Sequence, residues 1–430
     1  MNRKVRLGLV GCGTVGRGVI KILENNRRSI EEKTGASIEI VATCDRRRIS
    51  VKNARFYTDY RDIIAAPDID MVVELIGGYE PARTIILSAL RAGKNVVTAN
   101  KAVLAKYWDE ILRAARKHDR LVYFEAAVGG GIPVVQGLNE GLAANRIEKI
   151  SGILNGTTNF ILSEMTQNDV DFKSALKSAQ VAGFAEADPT FDVEGIDTAH
   201  KLAVLASLAW SSWVKLGDIT TIGISGVSRE DISFARDEYG YLMKLIGSAH
   251  MTGGRLELSV QPCLIARTHP FANVEKEYNA VCIHGDAADD IMFYGKGAGQ
   301  LPAASAVVSD IIFLARQIAG GTVGKLPYVT YNPDKKLSIL PREKSEGCHY
   351  LHFNTVDKPG VLSTIAGILS RYRVSIASVY QREPLIGVRS GVSIVMLTHK
   401  IICGDLLKAL ERIDSLPIVR SKTVHYKILD

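Results

Sequence analysis

The sequence predicts an α/β protein in three parts: a doubly wound parallel sheet, an α+β middle domain and a C-terminal ferredoxin-like domain. Three observations predict it. Short apolar runs alternate with helical patterns in the first third of the 430 residues, and this alternation stops in the middle. After residue 348 the order strand–helix–strand–strand–helix–strand follows. A chain of this length is also too long to fold around a single hydrophobic core, which favours several domains.

The first third alternates strands with helices. Strands are predicted at 5–10, 38–44, 71–75, 95–98 and 121–125, and helices at 15–26, 81–92 and 106–118. Such alternation is typical of a parallel sheet with helices on both faces. An apolar helix over 305–318 is expected to pack back on this part. The first domain is therefore predicted to comprise 1–135 and about 300–325.

The middle and the end of the chain have other patterns. The middle domain, 136–299, has predicted strands at 147–154 and 256–261 and helices at 160–167, 171–182, 198–214 and, as one long helix, 228–250. A polar, proline-bearing linker is predicted at 326–347. The ferredoxin-like domain is predicted over 348–430, with strands at 350–356, 375–381, 392–398 and 419–426 and helices at 361–372 and 405–413.

Composition excludes several classes of protein. Hydrophobic residues make up 47% and charged residues 23%, a balance typical of globular proteins. The net charge of +7 is spread along the chain, so no nucleic-acid partner is expected. No apolar stretch approaches the roughly 20 residues that span a bilayer, and the six cysteines form no Cys-x-x-Cys pair. We expect a cytoplasmic protein without a membrane partner.

A glycine motif follows the first predicted strand and opens the first predicted helix. It consists of Gly11, Cys12, Gly13, Thr14, Val15 and Gly16. The first glycine permits a tight turn, the second lets the backbone approach a pyrophosphate, and the third allows the helix to pack on the strand. Amides at the helix start would bind the phosphates. The motif predicts a Rossmann-type dinucleotide site; the alternative is a tight turn without a ligand.

The second strand should end near the adenosine ribose. Asp45 at this point would bind a 2′-hydroxyl and favour NAD, whereas Arg46 and Arg47 would bind a 2′-phosphate and favour NADP. The spacing from the glycines is longer than usual, so both cofactors remain open, with a slight preference for NADP.

Acidic residues crowd the segment before the helix predicted at 198–214: Glu186, Asp188, Asp192, Glu194 and Asp197. That helix is apolar almost all round, which predicts burial, yet it carries Lys201. Asp197 lies four residues before Lys201, close enough to pair with it. A partly desolvated lysine among carboxylates is a candidate acid/base for removing an alcohol proton. The alternative is an ordinary ion pair.

Two further residues fit this chemistry. Lys101 follows the strand predicted at 95–98, and ligands of doubly wound sheets gather at the carboxyl ends of strands. A surface lysine on a loop is an equally good interpretation of Lys101. Glu186 is a candidate for binding the ammonium group of a substrate.

These residues also carry a resemblance to a known family. Segment 182–201 matches the signature of the homoserine dehydrogenases almost throughout, including Glu186, Asp188, Asp192, Asp197 and Lys201. Four other segments look like motifs of that family: 98–101 (Thr-Ala-Asn-Lys), 125–133 (Glu-Ala-Ala-Val-Gly-Gly-Gly-Ile-Pro), 156–159 (Gly-Thr-Thr-Asn) and 294–299 (Tyr-Gly-Lys-Gly-Ala-Gly). The resemblance covers nearly the whole chain.

The resemblance implies interconversion of L-homoserine and L-aspartate 4-semialdehyde with NAD(P), on the route to threonine and methionine. It implies Lys201 as proton donor and acceptor, Asp197 beside it at the substrate, and Lys101 between nicotinamide and substrate. Further implied substrate-binding residues are Glu186, Asp192, Gly156 and Thr157. Gly297 and Gly299 are expected to contact the cofactor, as are Lys101 and the glycine turn.

Two further ligands are implied. Glu125, Val128, Gly130 and Ile132 would surround a sodium ion, mostly through backbone oxygens; the alternative is a glycine-rich hinge. The C-terminal unit resembles an ACT domain, with Asp357, Gly360, Val361 and Leu362 at the ligand loop. This implies a homo-oligomer, dimer or tetramer, with threonine as a feedback inhibitor. A dimerisation module without a ligand is the alternative.

Two rival functions would depend on different sets of residues. Aspartate-semialdehyde dehydrogenase needs a nucleophilic cysteine, and none of the six cysteines has an evident histidine partner. A non-catalytic NAD(P)-sensing regulator would need the glycine motif and the last domain, but not the group formed by Asp197 and Lys201. Oxidation of homoserine distinguishes these functions.

Overall fold

The computed structural model describes residues 3–325, 327–381 and 391–429. Leu326, where the predicted linker begins, lies outside these ranges, as do Met1, Asn2 and Asp430 of the two terminal domains. The first part contains β1 (Arg3–Val10), α1 (Thr14–Asn25), α2 (Arg27–Thr34), β2 (Ala36–Cys44), β3 (Arg55–Tyr57), α3 (Tyr60–Ala65), β4 (Met71–Glu74), α4 (Ala82–Arg91), β5 (Asn95–Thr98), α5 (Lys101–Lys117) and β6 (Val122–Tyr123).

These six strands form a parallel sheet in the order β3-β2-β1-β4-β5-β6. Because the chain winds outward from β1 in both directions, a crevice opens at the carboxyl ends of β1 and β4. The predicted doubly wound Rossmann-type sheet is confirmed.

The second part contains α6 (Val134–Gln136), β7 (Ile147–Ile153), α7 (Gly156–Gln167), α8 (Phe172–Val181), α9 (Thr190–Val193), α10 (Ile196–Ala209), β8 (Thr220–Thr221), α11 (Arg229–Tyr239), β9 (Tyr241–Thr252), β10 (Arg255–Ala266), β11 (Tyr278–Gly285), β12 (Asp289–Lys296) and α12 (Gln300–Gly320). Helices α7 and α10 pack on β9, which places the acidic segment at one end of this mixed sheet.

The predicted long helix over 228–250 is wrong. The helix α11 ends at Gly240, whose φ of +69° is left-handed, and the chain continues as β9. β9 pairs with both β7 and β10, so its apolar residues are buried by sheet packing. A continuous apolar run has no periodicity that separates a buried strand from a buried helix.

Helix α12 packs back on the first part, as predicted for 305–318. Its Ala304 lies against Gly18 of α1, where an added Cβ would approach Ala304 to 2.7 Å. Contrary to the expectation that no apolar stretch approaches the length of a membrane span, this helix is long and apolar enough by length and composition alone, yet half of its apolar window is buried inside the protein. This burial is that of a core helix packed on α1 and β1.

The third part contains β13 (Glu346–Thr355), α13 (Val361–Arg371), β14 (Ile376–Gln381), β15 (Val392–Thr398), β16 (Ile401–Ile402), α14 (Cys403–Asp414) and β17 (Val424–Leu429). The strand order β17-β13-β15-β14 is antiparallel and confirms the ferredoxin-like arrangement. β17 also pairs in parallel with β10, through Cys263 with Lys427 and Ile265 with Leu429. The second and third parts therefore share one eleven-stranded sheet.

A buried carboxylate joins these two parts. Asp231 of α11 accepts hydrogen bonds from the Tyr350 hydroxyl at 3.1 Å and from Ser228, and its Oδ1 lies 2.7 Å from His352 Nδ1. Although burial opposes the charged imidazole, Asp231 raises the pKa of His352 above its ordinary value. The ferredoxin-like part is thus held to α11 by buried polar contacts as well as by β17.

Candidate active site

The glycine turn leaves one face of its backbone open. A Cβ on Gly11, whose φ is +95°, would lie 2.7 Å from the Leu75 carbonyl oxygen, and one on Gly16 would lie 2.3 Å from the Gly11 oxygen. A Cβ on Gly13 would meet no atom within 4 Å. Gly13 also precedes α1 without a side-chain cap, so the first amides of α1 remain available to phosphate. The turn therefore fits a dinucleotide.

Asp45 holds the second strand to this turn. Its Oδ2 accepts a hydrogen bond from the Cys12 amide at 2.7 Å, and its Oδ1 accepts one from the Arg47 amide at 3.1 Å. The guanidinium groups of Arg46 and Arg47 are exposed and form no ion pair with any residue that the structure describes. The carboxylate is therefore engaged, whereas the two guanidinium groups are free.

Two lysines from different domains meet on one buried carboxylate. Lys201 Nζ donates hydrogen bonds to Asp197 Oδ2 at 2.7 Å and to the Leu154 carbonyl oxygen at 2.6 Å. Lys101 Nζ lies 3.1 Å from Asp197 Oδ1. Asp197 and Lys201 stand on α10, whereas Lys101 begins α5, next to the carboxyl end of β5. The group therefore lies in the crevice between the two domains.

The charges of the two lysines favour the ionised form of Asp197. Burial alone would raise the pKa of Asp197, but the charges of Lys201 and Lys101 outweigh burial and hold the pKa well below its usual range. Lys201 is buried, with 11% of its side chain exposed, and Lys101 has 34% exposed. An ammonium has three N–H donors, and two of those on Lys201 have partners in the protein. The third is available to a bound ligand.

Asn155, which was not predicted from the sequence, holds both aspartates. Its Nδ2 donates to Asp192 Oδ1 at 2.7 Å and to Asp197 Oδ2 at 2.8 Å, while its Oδ1 accepts from the Thr158 amide at 2.8 Å. Burial raises the pKa of Asp192. An asparagine before a helical pattern is typical of an N-cap, and this signal would have identified Asn155.

The remaining predicted substrate residues differ in their positions. The Thr157 hydroxyl donates to the Phe184 carbonyl oxygen at 2.7 Å and so ties α7 to the acidic segment. Gly156 lies so close to the 277 backbone that an added Cβ would approach the Glu277 oxygen to 2.8 Å. Glu186 is exposed on the acidic segment, and its carboxylate forms no ion pair within the described ranges.

The glycine-rich loop 125–132 contacts the segment that precedes α12. Glu125 accepts hydrogen bonds from the amides of Val135 and Gln136, both at 2.8 Å, and its own amide donates to Asp310 Oδ2 at 2.7 Å. Burial raises the pKa of the Glu125 carboxyl to about 7. A Cβ on Gly130 would lie 2.5 Å from the Gly297 oxygen. Loop 125–132 and Gly297 therefore lie together.

The segment from Gly297 to Gly299 also leads to the glycine turn. Gly299, at φ +119°, precedes α12, and the Gln300 side chain donates to the Thr14 carbonyl oxygen at 3.1 Å. Transfer of a hydride from an alcohol to nicotinamide needs a group beside the cofactor that takes the hydroxyl proton. The crevice offers a buried amine for this purpose. Fold and crevice together define an NAD(P)-dependent dehydrogenase.

Comparison with known proteins narrows this class. The family model "Homoserine dehydrogenase, NAD binding domain" matches residues 11–125, "Homoserine dehydrogenase" matches 133–312, and "ACT domain" matches 349–418. The homoserine dehydrogenase of Pseudomonas aeruginosa is 42% identical over 429 residues, covering 97% of this chain and 98% of that protein. The chain belongs to the homoserine dehydrogenase family, and it is an NAD(P)-dependent oxidoreductase with a C-terminal ACT domain.

Relatives from other bacteria agree along their full lengths. The homoserine dehydrogenase of Bacillus subtilis is 39% identical over 434 residues, covering 99% of this chain and 98% of its own. The crystal structure of a homoserine dehydrogenase from Thiobacillus denitrificans superposes with a TM-score of 0.94 at 40% identity, covering 100% of this chain and 99% of that one.

Proposed function

We propose that the chain interconverts L-homoserine and L-aspartate 4-semialdehyde with NADP on the route to threonine and methionine, and that threonine inhibits it through the ACT domain. The observation that carries the reaction is the bridging of Lys101 and Lys201 by Asp197, with one N–H of Lys201 left for substrate. Purified protein given L-homoserine and NADP+ should raise the absorbance of reduced nicotinamide. A chain that only senses NAD(P) would leave it unchanged.

The residues of the crevice divide the chemical work. When bound, the nicotinamide cofactor supplies the hydride donor or acceptor. In the direction of reduction, Lys201 donates its proton to the aldehyde oxygen; in oxidation, its amine takes the hydroxyl proton. Asp197 keeps both lysines oriented, and Lys101 shares in proton handling. Asp192 and Glu186 are the carboxylates proposed to bind the substrate ammonium group, with Gly156 and Thr157 beside the substrate.

The preference for NADP is proposed from the second strand. Asp45 is engaged by the glycine turn, whereas the free guanidinium groups of Arg46 and Arg47 are suited to a 2′-phosphate. The cofactor site consists of the glycine turn with Lys101, Gly297 and Gly299.

Replacement of Arg46 by alanine is expected to lower the preference for NADP+ over NAD+ by about 10–100-fold, the scale of one charge-assisted hydrogen bond. The preference is measured as the ratio of the two kcat/KM values with homoserine. Arg91→Ala removes an exposed arginine of α4 and should leave the ratio unchanged. An unchanged ratio in the Arg46 variant would assign the 2′-phosphate to other residues.

A monovalent cation is proposed in the loop 125–132. The carboxylate of Glu125 is engaged by amides, so a cation there would be bound mainly through backbone oxygens of Glu125, Val128, Gly130 and Ile132. Among the described contacts, the carbonyl oxygens of Val128 and Gly130 accept no hydrogen bond. Uncharged oxygen ligands are suited to a singly charged ion such as sodium.

The effector site is proposed at the start of α13. A cavity of about 360 Å³ is lined by Asp357, Gly360, Val361 and Leu362, together with Gln381 of β14 and Val392 of β15. Gly360, at φ +90°, precedes α13, so the first amides of the helix face this cavity and are suited to an amino-acid carboxylate.

Homo-oligomer formation is supported by the exposed Met292 and Tyr294 on β12, which lies at one end of the large sheet.

Replacement of Asp357 by alanine is expected to raise the half-inhibitory concentration of L-threonine at least about tenfold, because the effector loses a charged hydrogen-bond partner. Inhibition of homoserine oxidation is measured on the full chain, since removal of the ACT domain would also remove β17 from its pairing with β10. Glu411→Ala, on the exposed face of α14, is the control and should keep wild-type sensitivity. Wild-type sensitivity in the Asp357 variant would contradict the site.

A further inference from the structure

A second buried carboxylate lies in the crevice and has no part in the proposed proton transfer. Glu74 is the last residue of β4 and is fully buried. Its Oε1 accepts hydrogen bonds from the amides of Ile76 at 2.8 Å and Gly77 at 3.3 Å, and its Oε2 accepts one from the Thr98 hydroxyl at 2.7 Å. Glu74 therefore joins the ends of two neighbouring strands.

The hydrogen-bond donors around Glu74 favour its ionised form. Its neighbours are donors: two amides, the Thr98 hydroxyl and the Asn100 side chain. The Thr98 oxygen is itself an acceptor for the Asn100 amide at 3.0 Å, so its hydrogen is available for Glu74. Burial raises the pKa of Glu74, and these donors act against burial by favouring the charged form. No cationic nitrogen of the described residues lies within ion-pair distance of this carboxylate.

The same contacts reach the proposed catalytic group. The Asn100 side chain donates to the Gly78 carbonyl oxygen at 2.7 Å and accepts from the Val103 amide at 3.2 Å. Asn100 thereby caps α5, whose first residue is Lys101. Glu74 thus fixes both the loop that follows β4 and the start of the helix that carries Lys101.

From the strand order, a bound nicotinamide would be expected on the side of the crevice where Glu74 stands. A dinucleotide lies across the carboxyl ends of the strands, with its pyrophosphate at the glycine turn after β1. The adenosine half would lie toward β2, where Asp45 and Arg46 stand, so the nicotinamide half would lie on the other side of β1, toward β4 and β5. Glu74 and Thr98 end these two strands.

We propose that Glu74 is a positioning residue whose negative charge, held without a cationic partner beneath the nicotinamide side of the crevice, favours the oxidised cofactor over the reduced one. The oxidised ring carries a positive charge that the reduced ring lacks. Attraction by a buried carboxylate therefore acts on one form only, whereas the shape of the loop 75–78 acts on both. This difference separates the charge of Glu74 from a purely structural role.

The test is the ratio of two dissociation constants, for NADP+ and for NADPH, measured by titration calorimetry on the full chain without substrate. Glu74→Gln keeps the shape and removes the charge. It is expected to raise the ratio of the NADP+ constant to the NADPH constant roughly tenfold, the scale of one charge acting across a desolvated cleft. An unchanged ratio, with both forms weakened equally, would overturn the proposal.

Two further variants keep the test decisive. Glu24→Gln removes an exposed carboxylate of α1 and should leave the ratio at the wild-type value. Thr98→Val removes one donor to the Glu74 carboxylate and should raise the ratio by less than Glu74→Gln does. If Glu74→Gln fails to fold, Thr98→Val decides: a raised ratio supports the proposal and a wild-type ratio overturns it. Failure of the proposed homoserine chemistry would not alter these binding constants.

Discussion

Replacement of Lys201 by methionine is expected to lower kcat for homoserine oxidation by about 10²–10⁴-fold, the usual scale of a lost acid/base group. Methionine has a similar length and fits the apolar surroundings of α10, so the helix should keep its packing. The variant leaves no amine between the Leu154 carbonyl oxygen and Asp197, while Lys101 still neutralises the aspartate. Steady-state kinetics with saturating homoserine and NADP+ measure the loss.

Two measurements make this result specific. The dissociation constant for NADP+ should change little in Lys201→Met, because the glycine turn lies in the other domain. Lys177→Met, at an exposed position of α8, should keep wild-type kcat. Near-normal turnover in a folded Lys201 variant would remove Lys201 from the chemical step.

Replacement of Asp197 by asparagine is expected to have the largest combined effect on activity and stability. Asparagine keeps the shape but leaves Lys201, 11% exposed, without its charged partner. Removing one partner of a buried pair costs about 3–5 kcal/mol of unfolding free energy. Because the orientation of both lysines depends on this carboxylate, kcat should also fall by about 10²-fold or more. Urea unfolding and steady-state kinetics measure the two effects.

The matched control is Asp188→Asn, which alters an exposed carboxylate of the same acidic segment. Its change in unfolding free energy should stay within about 0.5 kcal/mol of the wild type. An Asp197 variant as stable and active as Asp188→Asn would show that the bridge between the lysines contributes neither to folding nor to catalysis.

Local patterns predicted most elements of the first and third parts, although α2, β3 and α3 were missed and the last strand, predicted at 419–426, is β17 at Val424–Leu429. Strands that alternate with amphipathic helices carry their own signal, and glycine or proline marks their ends. The middle was harder, because β9 is apolar along most of its length and continues directly from α11. The strands β11 and β12 were also missed, and so was the pairing of β17 with β10. Pairings between distant strands leave no local pattern in the sequence.

The candidate site was likewise predicted only in part from the sequence. Spacing on one helix predicted the contact between Asp197 and Lys201, because residues four apart share a helix face. The contact of Lys101 with Asp197 spans two domains. The position of Lys101 after a strand, and the resemblance to a family, placed it near the ligands, but neither predicted its pairing with Asp197. Glu74 was missed because its importance comes from the donors that folding brings to it. Asn155 could have been identified as the N-cap of α7, but its contacts with Asp192 and Asp197 leave no local pattern in the sequence.

The position of β17 has a consequence for the order in which the protein can assemble. This strand separates β10 from β13, yet in the chain it follows α12 and all the other strands of the sheet. Until residues 424–429 have left the ribosome, the edges of β10 at 263–265 and of β13 at 348–352 lack the strand that pairs with them, although β8 pairs with another part of the β10 edge. The middle of the large sheet therefore closes late, and during synthesis these two edges are the places where a chaperone or a second nascent chain would bind.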